Sequence, residues 1–251
     1  MVEMSRAGRC LVMAALVPAC TPSPEEQIRL EVEAETAKIN RALERPSGDV
    51  DATSVGAIFD AMRRQHAASR AAACVPGIGA PTPATQDVDD RPCVEAFDQG
   101  GVLDLHCATN GEVRGSVTYS AAVEGSLTYF VFDYVDVCAV AEGVCLDGRG
   151  AQVREARGAA GSTTLMGGSF EVERDGASQP LGYGYEMRRE EAGTTVRYAV
   201  FAGGESFVVS DPIDGMLVRN TIVGHNGRFV CTAATEDRWR GSCSGSASFE
   251  F

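Results

Sequence analysis

From Gly101 onwards, apolar and polar residues alternate with a period of two. Val113, Gly115, Val117 and Tyr119 fall on one side, and Arg114, Ser116, Thr118 and Ser120 on the other. That is the pattern of a β-strand with one wet face. Further strands are predicted over 126–134, 144–154, 163–174, 181–189, 194–202, 205–210, 216–223, 228–234 and 238–250. Asn110-Gly111, Asp175-Gly176 and Asn226-Gly227 are dipeptides that favour the positive φ of tight hairpin turns. Strands recurring every 8–14 residues or so, with Gly-rich turns and no helical stretch between them, predict an antiparallel meander. About ten such strands must curl into a half-barrel or barrel, or split into a sandwich. The expected fold class is therefore mainly β, preceded by one or two N-terminal α-helices.

Those helices follow from a change of period. Residues 25–45 place Ile28, Val32, Ile39 and Leu43 on one helical face. Glu25 and Glu26 sit at the start and Arg41 and Arg45 at the end, as the helix dipole favours. Pro46-Ser47-Gly48 stops the helix. A second helix is predicted from Thr53 to Ala73, with Val55, Ile58, Phe59 and Met62 as its apolar side and an Ala-rich second half. The expected division is a leader over 1–19, a tether over 20–24, a helical segment over 25–74, a linker over 75–99 and a β domain over 100–251. The helices are expected to cover an open face or edge of the sheet.

The first twenty residues follow a different logic. Arg6 and Arg9 precede an apolar run from Cys10 to Val17, and small residues lead up to Cys20. This is the layout of a signal peptide. The run is shorter than the roughly 20 residues a membrane-spanning helix needs. Val17-Pro18-Ala19-Cys20 resembles the lipobox of bacterial lipoproteins, with Val17 where leucine is commoner and Pro18 where a small residue is usual. The resemblance implies cleavage before Cys20, acylation of Cys20 and a lipid anchor in the cell envelope. Thr21, rather than aspartate, after the cysteine implies outer-membrane sorting.

Composition changes this picture little. There are 22 basic and 35 acidic residues, a net charge of −13. A field of that sign repels phosphate backbones and argues against nucleic-acid partners. Of the nine cysteines, Cys10 lies in the leader and Cys20 is the acylation candidate. The other seven contain no C-x-x-C pair, so disulfides in an oxidising compartment are expected rather than a metal site. Cys138 and Cys145 flank a short loop, Cys231 and Cys243 sit on neighbouring strands, and Cys74 and Cys93 would close the proline-rich loop. Cys107 is then left over.

The candidate chemistry is sparse. Gly241-Ser242-Cys243-Ser244-Gly245 has the outline of a nucleophile elbow, but no helix follows it. His106, next to Cys107, and His225 lack an orienting carboxylate in sequence. Asp49 and Asp51, and Asp87, Asp89 and Asp90, fail the twelve-residue calcium-loop pattern. Asp133 and Asp136 lie in an apolar strand, where Asp133 needs a partner such as Arg149 or Arg154. Phe249 and Phe251 end the chain as outer-membrane barrels do, but aromatic residues total only 7% and girdles are missing.

The stretch Gly100–Gly150 resembles uncharacterised secreted proteins and lipoproteins of bacteria, in which an Ala-rich helix precedes a β-meander. A weaker resemblance, in layout alone, is to envelope carriers with incomplete barrels and helices over the opening. The expected function is a non-enzymatic envelope lipoprotein that binds or scaffolds, anchored to the membrane and using no cofactor. Carriage of a hydrophobic ligand is the alternative, and hydrolysis a third.

Overall fold

A computed structural model describes residues 22–73, 94–108, 111, 113–140, 143–158, 161–174, 176–210, 219–235 and 238–250. Two long helices come first, α1 (Pro24–Glu44) and α2 (Ala52–Ala73). Ser23 caps α1, its Oγ accepting from Glu26 N at 3.2 Å. Asp51 caps α2, its Oδ1 accepting from the backbone N–H groups of Thr53 and Ser54 at 2.8 Å each. The sheet begins with β1 (Val94–Phe97) and β2 (Gly100–Asp104), followed by the single turn α3 (Leu105–Ala108). Its long central strands are β3 (Val113–Glu124), β4 (Leu127–Ala139), β5 (Val144–Ala156), β6 (Ser162–Arg174) and β7 (Ala177–Glu190). Then come β8 (Gly193–Ala202), β9 (Glu205–Ser210), β10 (Arg219–Gly224), β11 (Gly227–Thr235), β12 (Arg238–Gly245) and β13 (Ser248–Glu250).

Every strand pairs antiparallel with its neighbours in sequence, giving one thirteen-stranded sheet in the order β1 to β13. The sheet is not closed. Of the expected forms, the closed barrel and the two-sheet sandwich are thereby set aside. The strand pattern from Val113 onwards is borne out, with 238–250 divided into β12 and β13. The sheet starts earlier than expected, because β1 lies inside the stretch read as linker. Its four residues are too few to show a period.

The two faces differ. One, here the inner face, carries a continuous apolar surface: Val117, Phe132, Leu146, Phe170, Leu181, Val200, Phe207, Ile222, Phe229 and Cys231 are all buried. At about 4.8 Å per strand, a flat thirteen-stranded sheet would be nearly 60 Å wide. A single helix, at about 10–12 Å across, cannot cover that, so the sheet must curl upon itself. α2 is the helix on this face. Val55, Ile58, Phe59 and Met62 join one core cluster with Val200, Phe207, Val209, Ile222, Phe229 and the Cys231–Cys243 pair.

α1 lies on the opposite, outer face and crosses the strands in succession. Val32 packs with Tyr129, Val131 and Ala151, and Ile39 and Leu43 pack with Leu165, Ala199 and Val208. Close approach is possible because the outer positions below Ile39 are glycines. A Cβ at Gly167 would lie 2.3 Å from Ile39 Cγ1, and one at Gly184 2.5 Å from Ile39 Cδ1. Both helix faces read from the sequence are therefore the faces buried here, but one is outside the sheet and the other inside.

The strand turns define two rims. The first carries the β3–β4, β5–β6 and β7–β8 turns, and the second the β4–β5, β8–β9 and β10–β11 turns. α1 starts at the first rim, where Glu25 accepts from Gln99 Nε2 at 3.2 Å. It ends at the second rim, where Ser47 N donates to Ser206 O at 3.0 Å. The chain then passes over this rim to reach the inside. Asn226 clamps the crossing, with Oδ1 accepting from Val50 N at 2.8 Å and Nδ2 donating to Val50 O at 3.0 Å. The hairpin turn expected at Asn226-Gly227 is present, one residue earlier: Gly224 pairs with Gly227, His225 and Asn226 form the turn, and the Asn226 side chain holds the helix connection.

Candidate functional site

The inner face of β4–β8 concentrates aromatic and uncharged polar side chains. Residues alternate, so every second position faces inwards. Three cross-strand rows result. Tyr134, Gly148, Phe170 and Leu181 form one; Phe132, Gly150, Gly168, Tyr183 and Val200 the next; Phe130, Gln152, Met166, Tyr185 and Tyr198 the third. Gly150 and Gly168 leave room for a ring. A Cβ at Gly168 would lie 2.5 Å from Phe170 Cε2, so the Phe170 ring lies over that glycine. Phe170 stacks on Tyr183 with centroids 5.3 Å apart and meets Tyr134 edge-on at 5.4 Å. Tyr185 and Tyr198 sit 6.3 Å apart.

Burial pushes the phenols of Tyr134, Tyr185 and Tyr198 above their ordinary range, and that of Tyr183 furthest. For Tyr183 the neighbouring phenols Tyr134, Tyr185 and Tyr198 add to the effect, so the hydroxyls lie within electrostatic reach of one another. Gln152 and Thr164 are buried on the same face. Among the described residues, none hydrogen-bonds the side chains of Tyr134, Tyr183, Gln152 or Thr164. The site is thus a neutral surface of rings and uncharged polar groups.

Charged groups belong mainly to the outer face. Arg149 holds Glu31 of α1 through two bonds, Nε to Oε1 and, at 2.9 Å, Nη2 to Oε2. Its Nη1 lies 3.1 Å from Asp133 Oδ1, the pairing expected for Asp133. Further along, Glu186 receives Arg188 at 2.8 Å and Arg197 at 2.7 Å. Its side chain is only 11% exposed. Burial alone would raise its carboxyl, but the hydrogen bonds from Arg188 and Arg197 outweigh that and hold it below the usual carboxylate range.

The other residues singled out in the sequence disperse. Cys138 joins Cys145 across β4 and β5, and Cys231 joins Cys243 across β11 and β12, both pairs as expected. The Cys243 sulfur is thereby committed to a disulfide and offers no thiolate. His225, exposed in the second-rim turn, has its Nδ1 3.4 Å from Asp49 Oδ1. Asp51 is a helix cap, and backbone bonds from Ser54 and Thr53 hold its carboxyl below the ordinary range. Asp136 sits at a bulge with φ +50°, its N–H bonded to Asp147. Cys20, Cys74, Cys93, Asp87, Asp89, Asp90 and Phe251 lie outside the described residues, as does the side chain of Cys107.

Known proteins offer no match. No family model, no curated protein and no solved structure is similar to this chain. Among the described residues no group of three or more His, Cys, Asp and Glu could hold a metal ion, and no helix is long and apolar enough to cross a membrane. The tyrosines were the residues missed in the sequence. Tyr183 and Tyr185, two apart on one strand, carry the signal, but alternate aromatics also mark any packed strand.

Proposed function

We propose that the chain is a lipid-anchored protein of the bacterial cell envelope, acylated on Cys20, whose open sheet is a non-enzymatic binding module. The leader and Val17-Pro18-Ala19-Cys20 support the anchor. α1 begins at Pro24, so three residues separate its start from Cys20 and keep the first rim near the bilayer. The observation that carries the binding role is the neutral inner face, where Tyr134, Tyr183, Tyr185 and Tyr198 gather with Gln152 and Thr164 and, among the described residues, no charged pair.

A second reading, carriage of a hydrophobic ligand, is favoured by the run of rings from Phe130 to Tyr183 on that same face. Native mass spectrometry of the protein, extracted in mild detergent from its own membranes without reductant, tests both. A chain starting at Cys20 with an acyl adduct supports the anchor, and an unmodified chain overturns it. A noncovalent mass released on activation supports carriage, and its absence removes that reading.

A further inference from the structure

We propose that the Cys138–Cys145 bridge is a thiol–disulfide exchange site, opened and closed by an oxidoreductase that carries a reactive dithiol and docks on Val135 and Val140 at the second rim. The two bridges differ in setting. Cys231 and Cys243 are both buried in the core cluster that α2 completes, where an outside thiol reaches them only if the fold opens. Val137 and Leu146 point into the other core cluster, so their neighbours Cys138 and Cys145 point outwards. Their bridge lies directly below the β4–β5 turn, and Cys145 is half-buried. Val135 and Val140 are 50% and 58% exposed. Lying three residues before Cys138 and two after it, they put an apolar surface beside an accessible sulfur.

The backbone separates this bridge from the rest of the sheet. The β4–β5 ladder slips between Tyr134 and Val137, and the β3–β4 ladder slips between Arg114 and Ser116. Both irregularities meet at Asp136, with φ +50°, and Gly115, with φ +99°. A Cβ at Gly115 would lie 2.2 Å from Asp136 O, so only glycine lets them sit side by side. Beyond them, towards the rim, β4 and β5 pair only over Val137–Ala139 and Val144–Leu146. Opening the bridge therefore loosens a hairpin tip and leaves the core rows of the sheet in place.

The register also gives the exchange a direction. Arg114 stands opposite Cys138 across β3 and β4, and Glu173 stands opposite Cys145 across β5 and β6. Directly opposed side chains have Cβ atoms about 4.5–5.5 Å apart, so each sulfur has a charge of known sign beside it. A cation favours a thiolate and a carboxylate disfavours one. The partner's thiolate attacks Sγ of Cys145, the more accessible sulfur. A new S–S bond forms, the Cys138–Cys145 bond breaks, and its electron pair leaves on Sγ of Cys138 beside Arg114. The partner's second thiolate then attacks its own sulfur in the mixed disulfide and expels the Cys145 thiolate. Both released sulfurs take protons from water. Two electrons have passed to the chain, and the partner's dithiol has become a disulfide; the reverse sequence closes the bridge.

The test exposes the oxidised full-length chain to dithiothreitol, glutathione or reduced thioredoxin, traps free thiols by alkylation and maps them by peptide mass spectrometry. With dithiothreitol, Cys138 and Cys145 should become alkylatable about tenfold faster or more than Cys231 and Cys243, with circular dichroism unchanged. Brief exposure to glutathione should leave its adduct on Cys145. Arg114→Gln should slow the dithiothreitol reaction about threefold. The double variant Val135→Ser/Val140→Ser should slow thioredoxin by about fivefold or more and leave dithiothreitol unaffected. If both bridges open at one rate, or Cys138–Cys145 opens only as circular dichroism is lost, the bridge is structural and the proposal falls. A glutathione adduct on Cys138, or an unaltered rate in Arg114→Gln, overturns the assigned direction. An unaltered thioredoxin rate in the valine variant overturns the docking surface.

Discussion

Ile39 gives the sharpest check on the outer helix. It is 2% exposed and lies on the glycine gap made by Gly167 and Gly184. Ile39→Ala removes three carbons, worth about 2.4 kcal/mol at 0.8 each, and the cavity left behind raises the cost to about 3–4 kcal/mol. Gly184→Ala attacks the same contact from the other side. Its Cβ would lie 2.5 Å from Ile39 Cδ1 and 2.7 Å from both Cγ atoms, an overpacking cost of about 1–3 kcal/mol. Those three atoms are the ones that Ile39→Ala deletes. In the double variant the new methyl group therefore enters space already vacated, and Gly184→Ala becomes neutral or stabilising. The expected coupling is about 2 kcal/mol. Urea unfolding of the four oxidised proteins measures it, and Ile39→Ala alone should lower Tm by roughly 6–16 °C in a chain of this size. If Gly184→Ala costs the same in both backgrounds to within about 0.5 kcal/mol, the close packing of α1 on the two glycines is wrong.

Three further outcomes follow from the charges and cross-links. Glu186 is held below the ordinary carboxyl range, so its stabilisation is full above that range and lost as pH falls through its folded value. Glu186→Gln should therefore destabilise at pH 7, with the gap to the natural chain closing towards pH 3 in denaturant titrations; a constant gap would refute this. The raised phenols of Tyr129, Tyr134, Tyr183, Tyr185 and Tyr198 carry the opposite sign, stabilising below about pH 10 and losing that contribution as pH rises. Tyrosinate absorbance should then appear together with the loss of circular dichroism rather than before it. Replacing both Cys231 and Cys243 with alanine opens a twelve-residue separation and should cost about 3 kcal/mol, read as a lower urea midpoint. An unchanged midpoint would mean that the bridge does not form in the folded chain.

The meander was legible because most strands alternate cleanly and end in Gly-rich turns. The apolar stripes of both helices were legible too, since Val32, Ile39, Val55 and Ile58 are spaced at helical period. Which face each helix covers was not. Both stripes have the same character, and the deciding features are the gap at Gly167 and Gly184 and the rim crossing held by Asn226. Those bring together residues from distant strands that no local pattern connects. The Cys138–Cys145 and Cys231–Cys243 bridges could be read because each joins adjacent strands. The tyrosine surface stayed hidden, because which rings meet across strands is a property of the assembled face.

The inside position of α2 also sets an order of events in time. Each strand finds its partner next to it in the chain, so the sheet can grow outward from any hairpin at little entropic cost. α2 has no such neighbour. Its apolar side, Val55 to Met62, must wait for Phe207, Phe229 and Cys243, which lie well over a hundred residues further along. A chain emerging N-terminus first would carry that stripe uncovered until nearly the whole sheet had been made, and in that interval it is most open to aggregation or to capture by a chaperone.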